Sequence, residues 1–266
     1  NNHYEEPASF WDQEKNRQGM PRPFNITMEG LMTFQGREKA YGKKAWKVPE
    51  DLKEKERKQW IYQRYMRAYM ACIRSLDQNI GKLMKYLKDS GLDENTIVIY
   101  TSDQGFFLGE HGWYDKRFFY EESIRMPLII KHPNVSGGRR CDKMVLNIDL
   151  AETILDMAGI TIPDEMQGAS LLPLLKHPHK TKQWRKAMYY EYFEDRPNSP
   201  LPVWAHEGVR TERFKLIHFM HNGEDHWELF DLEKDPYELH NIYNSKGFQK
   251  IKQQLKVKLA EIKADS

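Results

Sequence analysis

The chain has 266 residues, with 41 Lys plus Arg against 39 Asp plus Glu and a formal net charge of +2. That length supports a sizeable core in one or two domains, and the charge balance provides no overall field that would favour nucleic acid or an anionic membrane, so any grip on an anion has to be local. No apolar run reaches the length of a membrane span, and two cysteines define neither a disulfide framework nor a zinc site.

The opening Asn1-Asn2-His3-Tyr4 carries neither a methionine nor a signal-peptide pattern and reads as a start inside a longer chain. Residues 1–58 are rich in Pro, Gly and charge without sustained periodicity, which predicts ordered loops and short helices over a surface. From Trp60 to Ser90 the apolar residues Tyr62, Tyr65, Tyr69, Ile73, Leu76, Ile80, Leu83 and Leu87 recur at helical steps, and Gly91 follows as a stop. This predicts a long amphipathic helix whose aromatic stripe and Cys72 face the core.

The run Thr96-Ile97-Val98-Ile99-Tyr100-Thr101 reads as a strand covered on both faces, as in parallel α/β sheets, and it ends in Ser102-Asp103-Gln104-Gly105. Ligands of such sheets bind just past the carboxyl ends of the strands, so Asp103 and Gln104 stand where chemistry is expected. A carboxylate beside an amide suits a hard cation. Lys116 follows in the polar and aromatic loop Gly112-Trp113-Tyr114-Asp115-Lys116-Arg117, where an ammonium suits an anionic substrate group.

Beyond the loop, Pro127 to Lys131 predicts a second buried strand, and Asp149-Leu150-Ala151-Glu152 a capping-box start for a helix ending near Gly159. Cys141, after Gly137-Gly138-Arg139-Arg140, is incidental to a polar turn. The composition then changes to strand candidates at 189–193, 207–210, 214–219 and 227–231 with no helices between them, followed by a charged amphipathic helix from Gln249 to Lys263. The fold class is therefore α/β in residues 1–180, with a smaller antiparallel-sheet subdomain and a terminal helix in 181–266.

These residues resemble the second half of a type I, formylglycine-dependent sulfatase. The resemblance rests on Ser102-Asp103-Gln104-Gly105, Leu108-Gly109-Glu110-His111-Gly112, Lys116 and Tyr120-Glu121-Glu122-Ser123-Ile124-Arg125-Met126-Pro127. It continues through Met166 to Leu175, Gly208-Val209-Arg210-Thr211 and Trp227 to Pro236. The wording from Gly112 to Arg117 is closest to the branch acting on sulfated amino sugars and glycosaminoglycans, including N-acetylglucosamine-6-sulfatases.

The resemblance implies part of an alkaline-phosphatase-like sandwich, bound Ca2+ and hydrolysis of carbohydrate sulfate esters in an extracytoplasmic compartment: periplasmic, secreted or lysosomal. Asp103 and Gln104 become metal ligands, and Lys116 the catalytic cation on the sulfate. Asp115, Arg117, His111 and His206 become substrate contacts. Trp113 and Tyr114 either stack on a sugar or pack the loop, Asp115 and Arg117 either bind sugar or pair with each other, and His111 has a loop-packing alternative. His218, His221, His226 and His240 show no ligand spacing and read as structural or solvated.

The family's Cys/Ser-x-Pro-x-Arg segment, which carries the formylglycine, is absent from this sequence, as are the paired aspartates that complete its metal site. Ile73 stands next after Cys72, and the proline and arginine that the signature requires do not follow it. The expected partner is thus the N-terminal half of the same protein, with the present chain inactive alone. A silent carbohydrate-binding or scaffold module and a phosphomonoester or phosphonate hydrolase of the same superfamily are the alternatives. In the latter, position 104 would usually be histidine.

Overall fold

A computed structural model describes residues 4–7, 48–177, 181, 183–193, 203–221 and 223–264. Most of the stretch expected to form surface loops at the start of the chain therefore lies outside the described residues. The first long element, α1 (Glu54–Asp89), starts six residues before the predicted Trp60 because Glu56 accepts the backbone N–H of Lys53 and closes the first turn. Ile61, Tyr62, Met66 and Leu87 are its buried residues. Cys72 is exposed, contrary to expectation, and Ile73, Leu76 and Leu83 on the same stripe are 39%, 45% and 52% exposed.

After α1 comes β1 (Val98–Thr101), and a loop leads to the short ribbon of β2 (Phe107–Leu108) and β3 (Tyr114–Asp115). One turn of helix, α2 (Glu121–Ile124), precedes β4 (Leu128–Lys131), which pairs antiparallel with β1. The expectation of a doubly covered strand in a parallel sheet fails here. All four residues of β1 are half-buried, the sheet has two strands among the described residues, and Ile129 is 63% exposed. Apolar composition promotes extended backbone, but burial needs layers on both sides, which the described residues do not supply.

The helix α3 (Asp149–Met157) lies where expected, but its acidic residues do not form a capping box. Asp149 takes the N–H of Leu146 and Ala169 and a bidentate contact from Arg185, while Glu152 reaches the N–H of Gly168. Both carboxylates thus pin the segment that leads into α4 (Leu172–Lys176).

The C-terminal region matches the strand pattern closely. Strands β5 (Ala187–Tyr192), β6 (Ala205–Thr211), β7 (Phe214–His221) and β8 (Glu224–Asp231) form an antiparallel sheet in sequence order, and α5 (Gln249–Ala264) follows. Side chains alternate between faces along each strand. One face joins Val209, Leu216 and Leu229 to Leu255 and Leu259 of α5. The other joins Ile217, Phe219 and Phe230 to Phe107, Trp113, Phe118, Phe119 and Tyr120.

The second face positions the loop around Lys116. Phe119 stacks on Tyr190 with ring centroids 4.6 Å apart and planes 6° from parallel. Gly208 leaves room for it, because a Cβ there would stand 2.6 Å from the Phe119 ring and 2.5 Å from the Leu216 carbonyl. The chain from Phe107 to Tyr120 is consequently bolted to the C-terminal sheet by aromatic packing.

Candidate active site

At the end of β1, Asp103 is exposed and Gln104 half-buried. The Ser102 hydroxyl lies 2.9 Å from the Gln104 carbonyl and 3.3 Å from the Asp103 carboxylate, so it shapes the turn. The Gly105 N–H donates to the Ser123 carbonyl at 2.8 Å. A Cβ on Gly105 would lie 2.0 Å from the Glu122 carbonyl, so this turn sits against the backbone of α2 as only glycine permits.

The second loop carries Lys116, half-buried between Asp115 and Arg117. Those two flanking side chains form an ion pair. Asp115 and Arg117 have φ of 83° and 110°, conformations that L residues seldom adopt. The Arg117 backbone is held at both ends: its N–H donates to the Ser123 hydroxyl at 3.0 Å, and its carbonyl accepts from the Tyr190 hydroxyl at 2.7 Å. Burial, then the neighbouring Tyr192, raises the Tyr190 pKa, so that hydroxyl stays a donor. Among the described residues no carboxylate pairs with Lys116.

His111 and His206 occupy different surroundings from those expected of surface contacts. His111 is 1% exposed, with ring centroids 5.3 Å from both Trp113 and Tyr120, and its Nε2 is 3.7 Å from a Glu122 oxygen. His206 is wholly buried under the Lys116 loop among Phe118, Phe219, Tyr190 and Tyr192, and its Nδ1 lies 2.7 Å from the Trp204 carbonyl. Burial lowers its pKa to about 4, overriding the backbone contacts at Trp204 and Arg117 and the Glu228 charge. Trp113 packs the loop, stacked 4.8 Å from Phe118. His218 lies against Trp227 and 2.9 Å from Asp225, a surface arrangement away from this loop.

An ion cluster that sequence reasoning missed lies behind α2. Lys215, fully buried on β7, places its Nζ 3.0 Å from Glu121 and 2.8 Å from Glu238, although neither approach has hydrogen-bond direction. Arg210 adds contacts to Glu121 at 2.9 and 3.2 Å, and Glu238 accepts the Glu121 N–H at 2.7 Å. Burial would raise Glu121, but Lys215 and Arg210 hold it down at about 2. Glu122, on the other side of the turn, is pushed up to about 8 by burial and by the nearby Glu238 and Glu110 carboxylates. Strand alternation places Lys215 on the same face as Ile217 and Phe219, which was the available signal.

The backbone N–H groups of Gly105, next after Gln104, and of Arg117, next after Lys116, thus both bond to Ser123, whereas His111 and His206 are packed among the aromatic side chains. A broad cleft lined by Ile129, Lys131, Arg139 and Arg210 contains none of the seven residues expected from sequence. Among the described residues no group of three His, Cys, Asp or Glu side chains could hold a metal ion. Asp103 and Gln104 have oxygen donors of the kind a hard cation takes, but two residues alone fall short of the six to eight ligands of calcium.

Two family descriptions match the chain: "Sulfatase" over residues 3–160 and "N-sulphoglucosamine sulphohydrolase, C-terminal" over 109–265. A curated N-acetylglucosamine-6-O-sulfatase of Bacteroides thetaiotaomicron is 48% identical over 213 residues, which cover 79% of this chain and 38% of that protein. A solved structure described in complex with its substrate D-glucosamine-2-N,6-O-disulfate has a TM-score of 0.86 at 37% identity, covering 98% of this chain and 60% of that one. A phosphonate monoester hydrolase of Silicibacter pomeroyi has a TM-score of 0.71 at 25% identity, over 81% of this chain and 43% of that one. The chain therefore spans between 38% and 60% of these relatives' own length, and the partial alkaline-phosphatase-like architecture expected from sequence holds. The match of the sulfatase description to more than half of its residues places this chain in the sulfatase family.

Proposed function

We propose that this chain is the part of a carbohydrate sulfatase that supplies the leaving-group side of the active site, acting on sulfated amino sugars or glycosaminoglycans in an extracytoplasmic compartment. The carrying observation is Lys116. It stands without a carboxylate partner among the described residues, in a loop whose backbone is fixed at Arg117 from two directions. The similarity to an N-acetylglucosamine-6-O-sulfatase supports the substrate class.

Lys116 would bind sulfate and neutralise the charge that builds on the bridging oxygen as the sulfur–oxygen bond breaks. Asp103 and Gln104 would contribute two oxygens to a Ca2+ whose role is to polarise the sulfate, with the remaining ligands outside the described residues. The attacking group would likewise come from elsewhere. Neither cysteine here begins the Cys/Ser-x-Pro-x-Arg signature, so a formylglycine would reside on the N-terminal half of the same protein. Asp115 and Arg117 orient the lysine by pairing with each other, and their remaining hydrogen-bond capacity is directed to sugar hydroxyls. His206 would keep its place beneath that loop and His111 beside it, supporting the sugar-binding surface from behind.

The test is Lys116→Ala in the full-length protein, assayed on 6-sulfated N-acetylglucosamine. Turnover should fall by about 10²- to 10³-fold with folding retained, the usual effect of losing one preorganised charge contact. Unchanged turnover would remove Lys116 from the site. The similarity to a phosphonate hydrolase makes a phosphonate monoester the matching control substrate, and faster turnover of that ester would select the phosphonate reading.

A further inference from the structure

We propose that Ser123 is a positioning residue of this site, holding the Asp103-Gln104 turn and the Lys116 loop at a fixed separation. The inference rests on the function proposed above and adds to it a residue that touches neither sulfate nor metal. Ser123 is 5% exposed and binds both loops with different atoms. Its carbonyl receives the Gly105 N–H at 2.8 Å, and its hydroxyl receives the Arg117 N–H at 3.0 Å.

Each loop needs such a tie. Arg117 at φ 110° and Asp115 at φ 83° occupy backbone regions that persist only where surrounding contacts over-determine them. The Ser123 hydroxyl is the partner of the Arg117 N–H, so removing it leaves that donor unmatched in a half-buried place and lets Lys116 drift. The other loop has no slack, since a Cβ on Gly105 would collide with the Glu122 carbonyl at 2.0 Å. Between them, α2 is itself fixed: Glu121 meets Lys215 at 3.0 Å and Arg210 at 2.9 Å, and its N–H donates to Glu238 at 2.7 Å. The C-terminal sheet thereby sets the distance between a cation-binding turn and a sulfate-binding lysine that lie on separate loops.

The two ties can be cut separately. Ser123→Ala removes the hydroxyl bond to the lysine loop and keeps the carbonyl bond to the Asp103-Gln104 turn. A lysine acting on the bridging oxygen matters most when the leaving alcohol is a poor one. A sugar 6-sulfate should accordingly suffer more than 4-nitrophenyl sulfate, whose leaving group stabilises its own charge.

The experiment compares wild type, Ser123→Ala, Lys116→Ala and the double variant of the full-length protein on both esters. Tyr190→Phe is the second loop variant, because it removes the hydroxyl on the Arg117 carbonyl while keeping the ring stacked on Phe119. We expect Ser123→Ala to lower kcat on the sugar sulfate about tenfold, the rate equivalent of one hydrogen bond, and on the aryl sulfate less than about twofold. Tyr190→Phe should show the same dependence on leaving group. In the double variant the serine substitution should add little to the lysine one, since it acts through it.

Equal losses on both esters, or full additivity with Lys116→Ala, would overturn the positioning role. If Ser123→Ala does not fold, Tyr190→Phe decides alone by the same ratio. Unchanged turnover in Lys116→Ala would instead mark failure of the underlying function, distinguishable because it does not involve Ser123.

Discussion

The two ends of this chain obey the same sequence rules and reach different degrees of burial. In the four-stranded sheet, alternation along β6, β7 and β8 sends Val209, Leu216 and Leu229 to one face and Ile217, Phe219 and Phe230 to the other, and each of these is at most 2% exposed. In α1 and the β1–β4 pair the apolar spacing is just as regular, yet Leu76, Leu83 and Ile129 remain 45%, 52% and 63% exposed. The difference lies in the layers available. The sheet has α5 on one side and the aromatic loop on the other, both within the described residues. A periodic pattern specifies which side of an element seeks cover, and burial follows only where a second layer exists.

The largest effect expected from testing this contrast is at Lys215. It is a fully buried cation on the inner face of the sheet, set against Glu121 and Glu238 beside Arg210. Lys215→Met fills the volume of the stem but leaves two carboxylates facing each other in a dry place. Breaking a buried pair by removing one partner costs about 3–5 kcal/mol, which urea unfolding would register as a clear fall in midpoint. Glu238→Gln in the same background should recover part of it, because burial already pushes the Glu238 pKa upward. A Lys215→Met protein as stable as wild type would show that the face closes by packing alone.

Truncating leucines on the two sides measures the contrast directly. Leu216→Ala on β7 should cost about 2–5 kcal/mol, the usual range for a fully buried leucine. Leu76→Ala on α1 should stay within about 0.5 kcal/mol in the same chain, as for surface substitutions. Comparable losses at both positions would mean that the α1 stripe is covered after all.

Much of this architecture could be read in advance where a single local rule decided the outcome. The strands between Tyr189 and Asp231 and the terminal helix follow from period and punctuation. The loop bearing Lys116 followed from its residue types and family wording. What escaped was decided by tertiary partners. Cys72 was expected in the core because its helix is amphipathic, but it is exposed among the described residues. Asp149 and Glu152 have the spacing of a capping box, yet the chain returning through Gly168 and Ala169 offers them other donors. Ser123 stood within the family wording, but its bonds to the Gly105 and Arg117 N–H groups join two separate loops and had no local signal. His206 heads a strand, but the register of β6 turns it into the aromatic face beneath Arg117.

That register makes a small effect at neutral pH and the most specific test of closure. Burial depresses the His206 pKa from 6.5 to about 4, ahead of the opposing backbone contacts at Trp204 and Arg117 and the Glu228 charge. Between those values the unfolded chain takes up a proton that the folded chain refuses. The contribution of His206 is therefore fully present above pH 6.5 and declines as pH falls toward 4. At pH 7 both states hold the ring mostly neutral, so His206→Phe should alter Tm by little more than the loss of the hydrogen bond to the Trp204 carbonyl. On acidification the wild type should lose Tm more steeply than the variant, and the gap should narrow or reverse by pH 4.5. Parallel curves across that range would show that protons reach His206 in the folded state, and that the inner face of the sheet is not closed where it supports the Lys116 loop.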